Sequence, residues 1–472
     1  MLNNQYQTSL ETSASDITQR DTGIDIDLDL DNKINDTIIK AKKSQALIST
    51  WSDESLDSLI TDIAKAVESK AQTFAQKTVE ETEIGCIPHK VHKLSLVHNN
   101  VVNELIGLKT QGEISTNEKC SIKEFASPIG IIFAVVPLTN PIPNSLFKSI
   151  TSIKTRNALI ISYPRKATNV GMMLISLIQK ILLEHEAPKD LIQVIPQPSS
   201  RGLVNRFMKN KDIDLILATG GSGLVQAAYS SGNPCYGVGP GNVPVWITDA
   251  ADLDVTAASI VSSKSYDNGI ICGSENNLIV DLKVKHKFID NLEKYSACVL
   301  STDEKSRALS AWFHEGVLRR EVLGKPASIL LKLAKISRNY DVKICVIEAT
   351  DEEFELLGGE KLAPVVSMFD SEGYEGVDIS KRFLDYEGAG HTAVIHSNNQ
   401  TYIDYFAEHI PAGRLLVNTP STFGMMGIST DLPISFMLGS GSWGGNLTTD
   451  AITWKHLVNI KRLATHTVNV SF

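Results

Sequence analysis

Between residues 129 and 218, four short segments are apolar for nearly their whole length, with helical patterns between them. They cover 129–136, 158–161, 191–195 and 213–218. A strand with one wet face alternates apolar and polar side chains, whereas a strand apolar throughout is covered on both faces. Doubly buried strands separated by helices predict an α/β fold built on a doubly wound parallel sheet. Helices are read over 144–154 and 170–184, the latter ended by Pro188, which cannot continue a helix.

A second α/β pattern starts after Gly241, with a strand over 243–247, a helix over 252–264, and strands near 278–280, 343–347 and 364–368. Ahead of the first sheet, Leu56, Leu59, Ile60, Ile63 and Val67 recur at helical spacing, and two helices are read over 34–79. Residues 112–125 are strand-like but polar, as an exposed ribbon would be. Residues 1–33 are acidic, ending in Asp25-Ile26-Asp27-Leu28-Asp29-Leu30-Asp31, and are read as a disordered tail. A chain of 472 residues exceeds what one core supports, so two or three domains are expected.

Several function classes drop out. A net charge of −9, from 45 basic and 54 acidic residues, argues against nucleic-acid or membrane-surface binding. The longest apolar run is far shorter than the roughly 20 residues that span a bilayer, and no secretory signal is expected. Six scattered cysteines without a C-x-x-C pair speak against a disulfide framework or zinc site and for a reducing, cytoplasmic setting.

Cys272 lies in Ser265-Tyr266-Asp267-Asn268-Gly269-Ile270-Ile271-Cys272-Gly273-Ser274, after an Asn-Gly turn and before a glycine. An accessible thiolate there can attack an electrophilic carbon, while a buried apolar cysteine would do nothing; the segment alone leaves both open. Thr219-Gly220-Gly221-Ser222-Gly223 joins a strand to a helix, where backbone N–H groups can approach a phosphate, but it is not G-x-G-x-x-G. Asn140, in Pro137-Leu138-Thr139-Asn140-Pro141, follows a strand's carboxyl end, where ligands of open sheets gather; it is an oxyanion donor or a simple cap. Glu360 precedes the strand near 364–368 and can hold sugar hydroxyls or stay solvated. His391, in Gly388-Ala389-Gly390-His391-Thr392, is read in a flexible loop, where most histidines are merely at the surface.

Together with Lys154-Thr155-Arg156-Asn157-Ala158, Gly237-Val238-Gly239-Pro240-Gly241-Asn242, Val417-Asn418-Thr419-Pro420 and Gly441-Ser442-Trp443-Gly444-Gly445-Asn446, these segments resemble the aldehyde dehydrogenase superfamily. The likeness is to its CoA-acylating branch, including the aldehyde dehydrogenase half of bifunctional aldehyde–alcohol dehydrogenases, and it runs in order from about 36 to 465. It implies an aldehyde dehydrogenase-like fold: a Rossmann-like cofactor domain, an α/β catalytic domain and a small oligomerisation ribbon. The implied division is a tail at 1–33, a cofactor domain at 34–242 with ribbon segment 112–126, a catalytic domain at 243–435, and a return to the first domain and ribbon at 436–472.

By that resemblance Cys272 is the nucleophile, with Asn140 and the Cys272 N–H as oxyanion donors and His391 as a proton carrier for CoA. Thr219, Gly220, Gly221 and Ser222 face the cofactor pyrophosphate and Glu360 the nicotinamide ribose. Pro137, Gly239 and Leu362 complete the expected cofactor contacts. NAD is the implied cofactor, with NADP left open by Arg165 and Lys166, and coenzyme A is the co-substrate. A homodimer or homotetramer is implied, with a separate alcohol dehydrogenase as a further expected partner. Hydrolytic members carry a glutamate before a Gly-Gly pair, ahead of the nucleophile, as base for water. The stretch 237–242 holds no carboxylate, so a thioester on Cys272 should pass to a thiol rather than to water. Acetaldehyde and acetyl-CoA are the expected pair, with succinate semialdehyde, sulfoacetaldehyde or an acyl phosphate as alternatives. The loop after Asn418-Thr419-Pro420, usually rich in Gly-Gly in the family, reads Ser421-Thr422-Phe423-Gly424-Met425-Met426-Gly427 here, and the bulky Phe423, Met425 and Met426 bear on the aldehyde pocket.

Overall fold

The structure is a computed structural model that describes residues 14–117 and 122–466, with side chains from residue 29 onward. Its first sheet has five parallel strands in the order Ile192–Val194, Ala158–Ser162, Ile131–Val135, Leu215–Thr219 and Cys235–Val238. Ile131–Val135 and Ala158–Ser162 are buried at every residue, as their unbroken apolar character requires. In chain order the strands run 3-2-1-4-5, so the winding direction reverses between Ile131–Val135 and Leu215–Thr219. A crevice opens at such a reversal, beyond the strands' carboxyl ends.

The helix Pro141–Lys154 starts at that crevice, with prolines in its first turn where a missing N–H costs nothing. Every residue of it is buried, because it packs between the sheet and the N-terminal helices. The helical run Arg165–Glu184, which contains the helix Thr168–Glu184, is apolar and long enough to pass as a membrane span by composition. Its Val170, Leu174, Ile178 and Leu182 are buried in the same core as the sheet, which makes it a core helix.

The N-terminal stretch holds three helices rather than two: Ala14–Ile48, Asp53–Glu68 and Ala71–Thr82. Ser52 caps the second by accepting from Ser55 N at 3.2 Å, whereas the break at Ser69–Lys70 has no glycine or proline to announce it. The acidic segment read as a tail is drawn from Ala14 onward as the opening of the first helix, and Asp31 pairs with Arg206 at 2.6 Å. Residues 1–13 lie outside the described residues.

The second sheet has seven parallel strands. Their order is Ala297–Val299, Ile344–Glu348, Val365–Ser371, Glu275–Asp281, Val243–Ile247, Ala393–His396, Leu415–Val417. A third, antiparallel sheet joins Gly112–Asn117, Ile122–Pro128 and Val458–Ala464, so the expected ribbon pairs with the end of the chain. Asn140 follows a strand of the first sheet at its carboxyl end. Gly241, Cys272, Glu360 and His391 all precede strands of the second, at their amino ends. The site lies where these two sets of strand ends meet.

Candidate active site

The chain turns sharply before Cys272. Asp267, Asn268 and Gly269 are three consecutive left-handed residues, with φ of 48°, 57° and 70°. Aspartate, asparagine and glycine tolerate this region best, so the sequence is suited to the bend. The turn is tied from outside: Asn268 Nδ2 donates to Gly324 O at 2.9 Å, and Cys86 N donates to Asp267 Oδ1 at 2.7 Å.

Cys272 emerges partly exposed, against two glycines. A Cβ on Gly241 would sit 1.9 Å from Cys272 O and 3.3 Å from His391 Cγ. One on Gly273 would sit 1.8 Å from Met425 Sδ. Burial pushes the Cys272 thiol up to about 12, the Glu360 carboxyl pushes the same way, and the Arg414 guanidinium opposes them.

Asn140 is held by charge. Its Oδ1 accepts from Lys93 Nζ, which also donates to Asp267 Oδ2, and its Nδ2 donates to no described protein atom. The amide N–H is thus left for a ligand, as an oxyanion donor must be.

His391 corrects the flexible-loop expectation. It is buried, its Nδ1 lies 2.9 Å from Thr392 Oγ1, and its Nε2 has no partner. Burial, then Arg414, push it down to about 3, so the imidazole is neutral throughout the physiological range. Arg414 was not singled out from the sequence, where it stands in an ordinary Gly413-Arg414-Leu415. Its guanidinium donates to Thr449 O at 3.0 Å, Gly439 O at 2.6 Å and His391 O, with no carboxylate in ion-pair contact among the described residues. A cavity of about 450 Å³ is lined by Arg414, Met425, Phe147, Leu105 and Ile434, among others. Of the three bulky departures, only Met425 lines it. Phe423 packs edge-on against Tyr266, ring centroids 5.1 Å apart, and Met426 is buried in the second core.

At the reversal of the first sheet lies a cavity of about 910 Å³. Pro137, Thr219 and Gly220 line it, with Tyr163, Arg165, Arg201 and Arg320. Lys148 Nζ donates to Thr219 Oγ1 at 3.1 Å from beneath, and burial pushes this lysine down to about 7. Size, position and a rim of cations fit a phosphate-bearing dinucleotide. The other expected contacts are spread out. Ser222 and Gly239 line a hollow of about 540 Å³, and Glu360 and Leu362 another of about 420 Å³. Gly221 lines none of these, and its Cβ position is open. Lys166 is turned to Glu83 at 3.3 Å, so of the expected pair Arg165 and Lys166 it is Arg165 that lines the cavity, with Arg201 and Arg320. Glu360 Oε1 accepts from Gly241 N at 3.2 Å, and burial, then Glu387, push its carboxyl up to about 8. No cluster of potential metal ligands occurs among the described residues.

The model of the aldehyde dehydrogenase family matches residues 18–429. The chain is 34% identical over 433 residues to the succinate-semialdehyde dehydrogenase (acetylating) of Clostridium kluyveri, covering 91% of this chain and 95% of that protein. It is also 34% identical over 445 residues to the bifunctional aldehyde-alcohol dehydrogenase of Escherichia coli, covering 93% of this chain but only 50% of that one. An acetylating aldehyde dehydrogenase from Geobacillus thermoglucosidasius superposes with a TM-score of 0.89 at 35% identity, over 95% of this chain and 99% of the other.

Proposed function

The chain belongs to the aldehyde dehydrogenase family, and from that membership we propose that it interconverts a short aldehyde and its acyl-CoA with a nicotinamide cofactor. Cys272, once its thiol proton has passed to solvent, forms the bond to the aldehyde carbon, and the carbonyl electron pair moves onto oxygen, where Asn140 Nδ2 and the Cys272 N–H donate to it. NAD or NADP, when bound in the cleft rimmed by Thr219 and Gly220, supplies the hydride acceptor that turns this adduct into a thioester. Glu360 is assigned to the nicotinamide ribose. His391, neutral and with an unpartnered Nε2, is assigned to accept a hydrogen bond from the incoming thiol, since an imidazole held down to about 3 does not keep an added proton there.

One observation carries the CoA reading: among the described residues, the carboxyl whose charge acts on Cys272 is Glu360, and it is mostly protonated at neutral pH. The stretch 237–242 has no carboxylate, and Glu360, which does reach Gly241, is held up to about 8. Without a base, water is activated poorly, by about 10²–10⁴-fold in rate. Free acid and acyl-CoA should be quantified with and without CoA at pH 7. Acyl-CoA is expected, and free acid released at full speed without a thiol would sink the proposal. Above pH 8, where Glu360 ionises, slow acid release should grow.

Acetaldehyde is the first substrate to try. Arg414 in the wall of the 450 Å³ cavity, which Glu104 and Asp450 also line, supports as second reading an aldehyde with a terminal anion, such as succinate semialdehyde. If so, Arg414→Met should lower kcat/KM for that aldehyde at least 10-fold more than for acetaldehyde, since a charged hydrogen bond contributes about 1.5–3 kcal/mol. The 34–242, 243–435 and 436–472 division is kept as part of the proposal, supported by the pairing of Val458–Ala464 with Ile122–Pro128. So is a homodimer or homotetramer formed through that sheet, in the cytoplasm, where the five described cysteines would stay free.

A further inference from the structure

Residues 86–93, Cys86-Ile87-Pro88-His89-Lys90-Val91-His92-Lys93, have no part in the chemistry above, yet they build a charged cluster beneath it. Lys90 and Lys93 stand three apart on the helix Ile87–Leu96, on one face, and both are buried. They converge on Asp267: Lys93 at hydrogen-bond contact and Lys90 at 3.2 Å. Lys90 also reaches Thr139 O at 3.4 Å, next to Asn140. The remaining neighbours do not balance the charge. Burial lowers His89 and His92, keeping them neutral, and raises Cys86, which stays a thiol. The Tyr266 ring lies 5.7 Å from Lys93 Nζ, and burial raises its phenol. Two buried lysines thus face one aspartate. An uncompensated buried cation is costly, and it becomes favourable only when an anion arrives nearby.

We propose that Lys93 is the positioning residue of the oxyanion site, fixing the Asn140 amide by its Oδ1 and setting one surplus positive charge behind it. The inference rests on Asn140 being the oxyanion donor. The Cys272 thiol first gives its proton to solvent; when the resulting thiolate bonds to the aldehyde carbon, the carbonyl π pair becomes the alkoxide lone pair. That negative charge appears on the Nδ2 side of the amide. The ammonium on the Oδ1 side holds the amide from flipping and draws density from it, which strengthens Nδ2–H as a donor. Asp267 shares the same ammonium, but the turn that presents Cys272 is held independently, by Cys86 N on Asp267 Oδ1 and by Asn268 Nδ2 on Gly324 O.

Burial, with Lys90 adding to it, pushes Lys93 down to about 8. The ammonium is present below that pH and lost above it, so the wild-type kcat/KM for aldehyde should fall on an alkaline limb near pH 8. Lys93→Met and Lys93→Arg in the full-length chain test this. For Lys93→Met, kcat should fall about 10²-fold, the size of losing an oxyanion donor. Its KM for cofactor and CoA, and the rate of Cys272 alkylation by iodoacetamide, should stay within two-fold. Lys93→Arg should keep most of the activity and lose the alkaline limb, because arginine does not titrate there. Unchanged kcat in Lys93→Met, alkylation slowed in parallel with turnover, or an alkaline limb retained in Lys93→Arg each overturns the proposal. If Lys93→Met does not fold, the pH profile of Lys93→Arg decides. Asn140→Ala separates the two readings. Full activity in Asn140→Ala removes the oxyanion assignment itself, whereas an inactive Asn140→Ala beside a fully active Lys93→Met removes only the role of Lys93.

Discussion

Gly241 and Gly273 flank Cys272, the proposed nucleophile, but their crowding differs in kind. A methyl group on Gly241 meets a backbone oxygen, Cys272 O, which cannot move without moving the nucleophile. A methyl group on Gly273 meets Met425 Sδ, the middle of a flexible side chain. Gly241→Ala should therefore abolish turnover, and shortening a neighbour should not restore it. Gly273→Ala should cost about 10-fold or more in kcat, and Met425→Ala should recover much of that in the double variant, the coupling expected of residues in contact. Steady-state rates of the four proteins decide, and strict additivity of Gly273→Ala and Met425→Ala would contradict the packing. At this scale the sequence shows a residue when its signal is local. Cys272 and Asn140 sit in turns whose chemistry can be read from the adjacent glycines and prolines. Lys93 and Arg414 cannot be read so, because their partners lie 47 and 174 residues away for Lys93 and 23 to 35 away for Arg414. His391 was misread for a related reason: its glycine neighbours suggest a mobile loop, while Gly390 in fact presses on Ser440 O and the imidazole is buried.

Among the elements, those whose hydrophobic pattern is set by tertiary burial are read best. The strand Val243–Ile247 has the expected bounds, and Ile131–Val135, Ala158–Ser162 and Leu215–Thr219 differ from expectation by one to two residues at most ends. The break at Ser69–Lys70 was missed because the apolar spacing continues through it, with Phe74 and Ala75 buried like Val67. The polar ribbon was legible as strands, but the pairing of Ile122–Pro128 with Val458–Ala464, over 300 residues on, has no local mark. In that three-stranded sheet Ile122–Pro128 is central, and among the described residues both outer strands have an edge that no other strand pairs with. Open edges invite pairing with another chain. Ending the chain at Leu457 should leave the two parallel sheets folded, by circular dichroism, and lower the molar mass seen by light scattering. An unchanged mass would remove the ribbon from the subunit contact.

For the whole molecule, the sequence foretells two α/β layers but not their mutual orientation, since which strand ends meet depends on crossovers rather than on any one segment. The structure sets the carboxyl ends of the five-stranded sheet against the amino ends of the seven-stranded one, and the groups proposed for catalysis come from both. A fold committed to that arrangement depends on its buried polar groups, and His396 gives a clean measure. It ends the strand Ala393–His396, is 1% exposed, has an unpartnered Nε2, and is pushed down from 6.5 to about 4 by burial alone. The folded-state value is depressed, so between these limits the unfolded chain binds more protons than the folded one, and stability is lost as pH falls. From pH 8 to 6.5 the difference in unfolding free energy between wild type and His396→Leu should stay constant. From 6.5 towards 4 the wild type should lose about 1.4 kcal/mol per pH unit relative to the variant, on the order of 3 kcal/mol in total. Other titrating groups cancel in the difference, because burial is the only influence on this imidazole. Urea unfolding at half-unit steps in pH measures it, and a flat difference below pH 6 would mean that the histidine takes up its proton within the folded protein.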